Sequence, residues 1–149
     1  MELDWLEDYL ALSSARVFAR AAEVPAGSGG LVFLPYLNGE RCPHPDPNAR
    51  GAVIGLTARH DGRHMTRALL EGVAFSLLDM YRLMTRMGVD RTVVKASGGG
   101  AQSALWRQIH ADVFGCPVST TDGAAEGGAF GAALLAGVSH GAWADVTEA

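Results

Sequence analysis

The sequence predicts an α/β domain, on the strength of two observations. Short apolar runs rich in β-branched residues alternate along the chain with longer segments whose apolar residues recur every three or four positions. Clusters of glycine and proline separate these segments. Strands that alternate with helices are typical of α/β domains. The length of 149 residues fits one domain and allows a sizeable buried core.

The first third of the chain predicts one helix and two strands. Residues 2–22 carry leucine, valine and phenylalanine at roughly helical spacing. The run Leu31–Leu37 predicts a buried strand that Pro35 interrupts or ends. A second strand is predicted over Gly51–Thr57. Between them lies Asn38–Gly51, a proline-rich loop that composition alone does not identify as ordered or disordered.

The strongest helical pattern covers Arg63–Met87, and Gly88 is suited to end that helix. Its apolar stripe consists of Leu69, Leu70, Val73, Leu77, Met80, Tyr81 and Met84. A strand of β-branched residues is predicted at Thr92–Ser97. Three glycines follow it, and a helix is predicted from Ser103 to Phe114.

The end of the chain predicts a short strand at Cys116–Thr120 and a helix at Ala125–Ala136. Gly137 is expected to stop that helix, and the tail after His140 is expected to fray. Glycine and alanine recur on the faces of this last helix. Close helix packing is the favoured interpretation, and a flat platform for a nucleotide base is the alternative.

Composition argues against several classes of function. The formal net charge is −4, and the basic residues are scattered singly, so no nucleic-acid-binding surface is indicated. No apolar run approaches the length of a membrane span, and the N-terminus is acidic where a signal peptide would be basic. Cys42 and Cys116 match no metal-binding spacing. We therefore expect a cytoplasmic protein with no metal site of its own.

The segment Ser97–Val113, SGGGAQSALWRQIHADV, places three glycines between a predicted strand and a predicted helix. Such a turn can hold a phosphate on backbone N–H groups, at the sheet edge where α/β proteins bind ligands. A tight turn without a ligand explains the glycines equally well.

A P-loop is excluded because the only lysine, Lys95, precedes the glycines. A dinucleotide-binding fingerprint fails because Ser103 occupies its last glycine position.

Four stretches resemble the FGGY family of carbohydrate kinases, and together they cover about residues 31–137. FLPYLNGERCPHPDPNARG (Phe33–Gly51) is similar to a long segment of the xylulose kinases in that family. GAVIGLTARHDGRHMTRALLEGVAFSL (Gly51–Leu77) resembles the C-terminal signature of the family. The stretches Ser97–Val118 and Glu126–Gly137 resemble its nucleotide-binding segments.

This resemblance implies an N-terminally truncated copy of the second of two actin-like ATPase, ribonuclease-H-like domains. It implies transfer of the γ-phosphoryl group of ATP, with Mg²⁺, to a sugar hydroxyl, most closely that of D-xylulose. In the family, ATP sits largely on this second domain and the sugar mostly on the first. Phosphoryl transfer asks mainly for positioning and charge stabilisation, which suits a cleft between two domains.

The resemblance also assigns a nucleotide site. Gly99 and Gly100 match glycines whose backbone approaches the nucleotide, and Ala101 continues that turn after Gly98. Positions beside the adenosine are matched by Gln102, Ser103 and Ala104, although Ala104 lacks the polar side chain that relatives often place there. Glu126 and Gly127 match the start of the next helix in the family, in a less defined role.

The catalytic aspartate and the phosphate-binding hairpin of the family are expected upstream of this sequence, so no catalytic residue is assigned to it. The other acidic candidates, Asp46, Asp61, Asp112 and Asp122, each suit a loop, cap or surface role. The five histidines are dispersed, and each suits a structural or exposed position. Cys116 suits a small buried hydrophobic residue.

Three hypotheses follow. The chain is half of a kinase that works with a sugar-binding domain, or a nucleotide-binding or homo-oligomeric piece without catalysis, or part of a sibling kinase for another sugar or polyol. Unpaired strand edges and exposed apolar surface are expected to promote self-association. A nucleotide-binding oxidoreductase is the weakest alternative, because the dinucleotide fingerprint fails.

Overall fold

The computed structural model describes residues 13–89, 92–121 and 127–148. Helices and strands follow one another in these residues, together with two 3₁₀ turns at Ser28–Gly30 and Gly99–Gln102. In chain order the helices and strands are α1 (Ser14–Ala22), β1 (Val32–Leu34), β2 (Ala52–Ile54), α2 (Gly62–Arg86), β3 (Val94–Lys95), α3 (Ala104–Phe114), β4 (Val118–Ser119) and α4 (Gly128–His140).

The predicted α/β class is confirmed by the unit β3–α3–β4. Here β3 pairs in parallel with β4, with Val94 opposite Val118, and α3 makes the connection between them. Two parallel neighbours joined by a helix form the βαβ unit of α/β proteins. The other pair, β1 and β2, is antiparallel, with Phe33 opposite Val53.

All four strands are shorter than predicted. The runs at Leu31–Leu37 and Thr92–Ser97 contribute only three and two residues to a strand. A strand is defined by its hydrogen-bonded partner, and β3 pairs with β4 alone among the described residues. Pro35 directly follows β1, as expected of a residue that ends a strand. Phe33 is buried, but Val32 is 46% exposed, so the strand is buried on one face only.

The hydrophobic core forms around α2, which packs against α1, β1 and α3. Leu69 and Leu70, from the predicted stripe, are fully buried. Further along the same stripe Met84 is 50% exposed, so the buried part of the helix is its first half. The buried core residues are Val17, Ala21, Leu31, Phe33, Ala68, Leu69, Leu70, Ala74 and Ile109.

Helix α2 begins and ends at sequence signals. The carboxylate of Asp61 accepts the backbone N–H groups of Arg63 and His64 at 2.9 and 3.4 Å, so Asp61 is its N-cap, as the sequence predicts. Hydrogen bonds from the side chains of Arg63 and His64 hold the pKa of Asp61 well below its usual value. At the other end Gly88 adopts a φ of 88°, and the N–H of Val89 donates to the carbonyl of Met84.

The proline-rich loop Asn38–Gly51 is ordered by an antiparallel bridge. The N–H of Glu40 donates to the carbonyl of Asp46 at 2.9 Å, and the reverse bond measures 3.0 Å. The Asp46 carboxylate accepts the N–H of Asn48, which is the loop role expected of Asp46. Gly39 has a φ of 81° and lies against the backbone of Pro47, which leaves no room for a side chain.

The last helix contradicts one expectation. Gly137 does not stop α4, which continues to His140 and ends at Gly141 with a φ of 82°. Gly137 instead lies under the ring of Trp143, which a Cβ would overlap. Beyond the helix, the carboxylate of Asp145 accepts the N–H groups of Thr147 and Glu148 in a local turn, and fraying of the tail stays a prediction. The predicted helix start at Ala125 lies outside the described residues.

Helix α4 buries none of its residues, and Leu135 on it is 61% exposed. Within the described residues, Gly137 of α4 packs closely against Trp143, whereas a Cβ added at Gly128 or Gly131 would meet no atom within 4 Å. Self-association through such apolar surface stays a prediction.

Residues 2–12 of the first predicted helix lie outside the described part. Among the residues described, no helix combines the length and the apolar character that crossing a bilayer requires.

Candidate functional site

The three glycines lie at the carboxyl end of β3, as predicted. After Lys95 the N–H of Ala96 still donates to the carbonyl of Ser119, and the chain then leaves the sheet. Gly98 starts the turn, a 3₁₀ turn runs from Gly99 to Gln102, and Ser103 is the N-cap that precedes α3. The seven predicted nucleotide-binding residues thus form one continuous strand-to-helix connection, at the edge where α/β proteins bind ligands.

The structure accounts for glycine differently at each of the three positions. Gly98 has a φ of 89° and a ψ of 175°, a conformation that other residues rarely adopt. The φ of Gly99 lies outside the positive range, and within the described part of the chain a Cβ added there would meet no atom within 4 Å other than those of its chain neighbours. A Cβ on Gly100 would lie 3.4 Å from Nε1 of Trp106. The fold therefore requires glycine at position 98 but gives no reason for glycine at position 99.

Hydrogen-bond donors face this turn at the start of α3. Ser103 is the N-cap, and its hydroxyl oxygen accepts the N–H of Trp106 at 3.3 Å. Ala104 and Leu105 follow as the first helical residues, whose N–H groups have no partner inside a helix. These groups and the positive end of the helix dipole together favour a bound anion. Gln102 and Ala104 are exposed beside them.

Ala101 differs from its neighbours because its side chain is only 2% exposed. Its N–H donates to the carbonyl of Gly98 at 3.1 Å, and its carbonyl accepts a hydrogen bond from Nη1 of Arg107 at 2.5 Å. Ala101 therefore anchors the turn and does not present a side chain to a ligand.

Sequence reasoning missed Arg107 and Trp106 as parts of this site. A signal for Arg107 was present: it is the fourth residue of α3, where the helix dipole disfavours a cation. An arginine in that position needs a local acceptor, and the carbonyl of Ala101 supplies it. Trp106 carried no comparable signal, since its contact with Gly100 depends on the fold of the turn.

An aromatic row crosses the molecule behind the turn, formed in order by Phe18, Trp106, His110, Phe114 and Tyr81. The ring centroids of Trp106 and His110 are 4.5 Å apart, and those of Phe114 and Tyr81 are 4.9 Å apart and stacked. The row links α1, α3 and α2, so it holds the helix that follows the glycine turn.

A cavity of about 300 Å³ lies between α2, α3 and the pair β3–β4. Its lining is mainly apolar, and none of the seven predicted residues contributes to it. The lining residues are Leu77, Met80, Tyr81, Met84, Val94, Ala96, Ser97, Trp106, Arg107, His110, Phe114 and Val118. The candidate site is therefore the open face of the turn, and the cavity lies behind it.

His110 gives the fold a pH dependence. It is 6% exposed, and its ring Nδ1 lies 2.8 Å from the carbonyl oxygen of Trp106. Burial lowers its pKa, against the opposing effect of that hydrogen bond. The unfolded chain then binds a proton more readily than the folded one, so the contribution of neutral His110 to stability is complete above about pH 6.5 and is lost as pH falls through the lowered pKa.

We therefore expect the free energy of unfolding to fall below pH 6.5, by at most about 1.4 kcal/mol per pH unit from this group. Urea unfolding of the wild type and of His110→Gln between pH 5 and 8 measures this. Because the variant cannot titrate at this position, the stability difference between the two proteins should shift in its favour as pH falls. A difference that stays constant over that range would contradict a buried neutral His110.

Two further residues considered in the sequence analysis, Asp112 and Cys116, lie outside the glycine turn. Asp112 accepts a hydrogen bond from the side chain of Gln108 on the surface of α3, in keeping with its predicted surface role. Cys116 is half-buried, with its Sγ 3.1 Å from the hydroxyl of Tyr81, so it is less buried than the small buried hydrophobic residue predicted. Asp122 and Glu126 lie outside the described residues.

Comparison with known proteins identifies one family. Residues 4–140 match the model described as the FGGY family of carbohydrate kinases, C-terminal domain. The chain is 36% identical over 148 residues to a xylulose kinase of Bacillus subtilis, and these residues are 98% of the chain and 29% of that relative. The chain is also 36% identical over 148 residues to glycerol kinase 3 of Streptomyces avermitilis, and these residues are again 98% of the chain and 29% of that relative.

Among solved structures, the ligand-bound xylulose kinase of Lactobacillus acidophilus superposes with a TM-score of 0.84 at 34% identity. The match covers 99% of this chain and 30% of that protein. The chain spans less than a third of the length of the relatives it matches.

Proposed function

Because the chain belongs to the FGGY family of carbohydrate kinases, matching its C-terminal domain, we propose that it forms the ATP-binding part of a sugar kinase. Its fold is the actin-like ATPase fold that the resemblance implied, since its structural neighbours are FGGY sugar kinases. We propose that the whole kinase acts in the cytoplasm.

Gly99 is the observation that carries the assignment of the site. Gly98 explains how the chain turns, but glycine at 99 is unnecessary for the backbone and for packing. A Cβ at this position would point into open space at the turn, where a nucleotide phosphate would need to approach the backbone. This favours phosphate binding over the alternative of a simple tight turn.

The residues present suit a nucleotide that brings its own Mg²⁺. ATP supplies the phosphoryl group for transfer to a sugar hydroxyl. Backbone N–H groups of the turn and of the first turn of α3 would hold its phosphates, with Gly98, Gly99 and Gly100 giving close access. Gln102, Ser103 and Ala104 would lie beside the adenosine. Within the described residues we assign no catalytic base, since Asp46 and Asp61 have structural roles, and no group of acidic, histidine or cysteine residues there could hold a metal ion.

D-Xylulose is the substrate we propose for the whole kinase. The long proline-rich segment Phe33–Gly51 and the similarity to proteins named xylulose kinase support this choice. A glycerol kinase matches with equal identity, so a sibling kinase for another polyol is the second candidate. ADP release by the whole kinase with D-xylulose, glycerol or gluconate as acceptor distinguishes the two.

Replacing Gly99 with alanine should weaken ADP binding by about tenfold, equivalent to about 1.4 kcal/mol. The added methyl group would occupy the space through which a phosphate reaches the backbone. Stability should stay within about 0.5 kcal/mol of the wild type or rise slightly, because the position tolerates alanine. Calorimetric titration of the chain with Mg-ADP, together with urea unfolding, measures both quantities.

Asp79→Ala on the surface of α2 is the control, since it changes a partly exposed side chain outside the turn and outside both segments that resemble nucleotide-binding ones. It should leave ADP binding unchanged. Equal affinity of Gly99→Ala and the wild type would reject the role given to Gly99. Absence of ADP binding by the folded wild-type chain would reject the proposal that these residues suffice for a nucleotide site.

A nucleotide-binding or oligomeric piece without catalysis is the alternative from a different class. The exposed apolar side chains of α4 favour it, with Phe130 and Leu135 being 42% and 61% exposed. Under this alternative Gly99→Ala should still weaken ADP binding. No sugar should accept a phosphoryl group, however, even in the whole protein.

A further inference from the structure

A second cavity, of about 380 Å³, lies between α2 and α3 and shares no lining residue with the apolar cavity behind the glycine turn. Its volume falls in the range of small-molecule pockets, which is about 300–1,000 Å³. Residues of both helices and of the segment before β1 line it. The lining combines charged and apolar side chains, and it includes the buried pair Arg67 and Glu71.

The guanidinium of Arg67 reaches this cavity with most of its donors unused. Arg67 is 7% exposed, and its Nε donates to Oε1 of Glu71 at 2.6 Å. An arginine carries five N–H donors, four of them on Nη1 and Nη2. Among the described residues, no acceptor is found for these four. The fully enclosed side-chain atoms without a partner do not include Nη1 or Nη2 of Arg67, so both nitrogens reach the open space of the cavity.

The carboxylates in the lining already have partners of their own. Oε1 of Glu71 accepts the Nε–H of Arg67 and the backbone N–H of Gly27, the latter at 3.0 Å. The carboxylate of Asp112 accepts a side-chain amide on its own helix at 2.7 Å. Arg82, which is exposed, adds a second cation to the lining. Buried donors are almost always paired in folded proteins, so the free end of Arg67 calls for an acceptor that the described chain does not supply.

The apolar part of the lining restricts what that acceptor can be. Phe75 is 52% exposed beside the charged pair, and Leu78, Ile109 and Val113 extend the apolar wall. A carboxylate matches the planar fork of an arginine with two parallel hydrogen bonds. Inorganic phosphate would leave the apolar wall uncovered, and a second negative charge would lie in a partly apolar cavity close to Glu71. A singly charged carboxylate with an apolar body suits both parts of the lining.

We propose that the cavity between α2 and α3 is a binding site for a small monocarboxylate with an apolar body. The carboxylate binds Nη1 and Nη2 of Arg67, and the body lies against Phe75 and Val113. This site is separate from the glycine turn and does not depend on the nucleotide assignment.

The test titrates the chain with phenylacetate at neutral pH and follows its backbone amide signals by NMR. We expect a Kd of about 1 mM or tighter, with shift changes at Gly27, Asp112 and Val113. Phenylacetamide has the same shape without the charge and should bind at least about tenfold more weakly. Inorganic phosphate, which lacks the apolar body, should also bind at least about tenfold more weakly.

Three variants locate the binding. Arg67→Lys keeps a charge beside Glu71 but removes the planar fork, so the affinity for phenylacetate should fall at least about tenfold. Arg86→Lys makes the same change at an exposed position in the last turn of α2 and should leave the affinity unchanged. Val113→Phe fills part of the cavity without removing either member of the buried pair and should abolish binding.

Failure to bind phenylacetate in the folded wild-type chain would overturn the inference. Equal affinity for phenylacetamide or for inorganic phosphate would overturn the choice of an apolar carboxylate. Equal affinity of Arg67→Lys and Arg86→Lys would show that the fork of Arg67 does not bind the ligand. If Arg67→Lys does not fold, Val113→Phe decides, and unchanged binding by that variant rejects the cavity as the site. ADP binding enters none of these comparisons, so the nucleotide assignment stands or falls separately.

Discussion

Replacing Glu71 with alanine is expected to lower the free energy of unfolding by about 3–5 kcal/mol. Glu71 and Arg67 lie one turn apart on α2 and are both 7% exposed. Oε1 of Glu71 accepts hydrogen bonds from Nε of Arg67 at 2.6 Å and from the N–H of Gly27 at 3.0 Å. Alanine would leave a buried guanidinium without its partner and would remove one of the hydrogen bonds between α2 and the turn region, while the bond from Ser28 Oγ to the carbonyl of His64 would remain. Urea unfolding followed by circular dichroism measures the change.

The same helix carries a control pair on its surface. Asp79 and Arg82 form an exposed ion pair of 3.7 Å, so Asp79→Ala should cost no more than about 1 kcal/mol. The double change Arg67→Met with Glu71→Leu should recover much of the loss, because no buried charge then remains unpaired. If Glu71→Ala costs no more than Asp79→Ala, the buried pair does not hold α2 to the turn before β1.

The helices could be predicted well because each carries its own local signals. The expected span Arg63–Met87 differs from α2 by one residue at each end, and Asp61 and Gly88 cap it as their residue types suggest. The same holds for α3, predicted at Ser103–Phe114 and found at Ala104–Phe114. Capping and periodicity act within a few residues of chain, so a single sequence contains them.

Strand lengths and the stop of α4 could not be predicted in the same way. A strand extends only as far as its partner, and the partners of β1 and β3 are distant in sequence. Gly137 has the local character of a helix end, yet it lies inside α4 because the ring of Trp143 covers it. In both cases a contact formed by the fold decides the outcome over local propensity.

The candidate site likewise has one part that could be predicted from the sequence and another that could not. The location of the glycine turn follows from the order of strand, glycines and helix. Which glycine the backbone conformation requires depends on the φ angle, which is positive at Gly98 and not at Gly99, and a sequence does not contain that angle. The hydrogen bond from Arg107 to Ala101 depends on how the turn folds back on α3.

Gly72→Ala is expected to destabilise the chain by about 1–3 kcal/mol or more, although alanine favours a helix by about 1 kcal/mol over glycine. Gly72 lies in the interior of α2, where the helix crosses β1. A Cβ on it would overlap the carbonyl oxygen of Phe33 and lie 3.1 Å from its carbonyl carbon. The obstacle is backbone, so no side-chain rotation can relieve it, and α2 and β1 would have to move apart. Urea and thermal unfolding measure the loss.

Gly131→Ala makes the same substitution inside α4, where a Cβ meets open space. There the higher helix propensity of alanine is unopposed, and stability should rise by up to about 1 kcal/mol. Opposite signs for the two variants would show that close approach between α2 and β1 requires Gly72, since chemistry and helical context are shared. A stabilising effect of both would mean that the two backbones can separate without loss, and the packing of β1 on α2 would then not require glycine at this position.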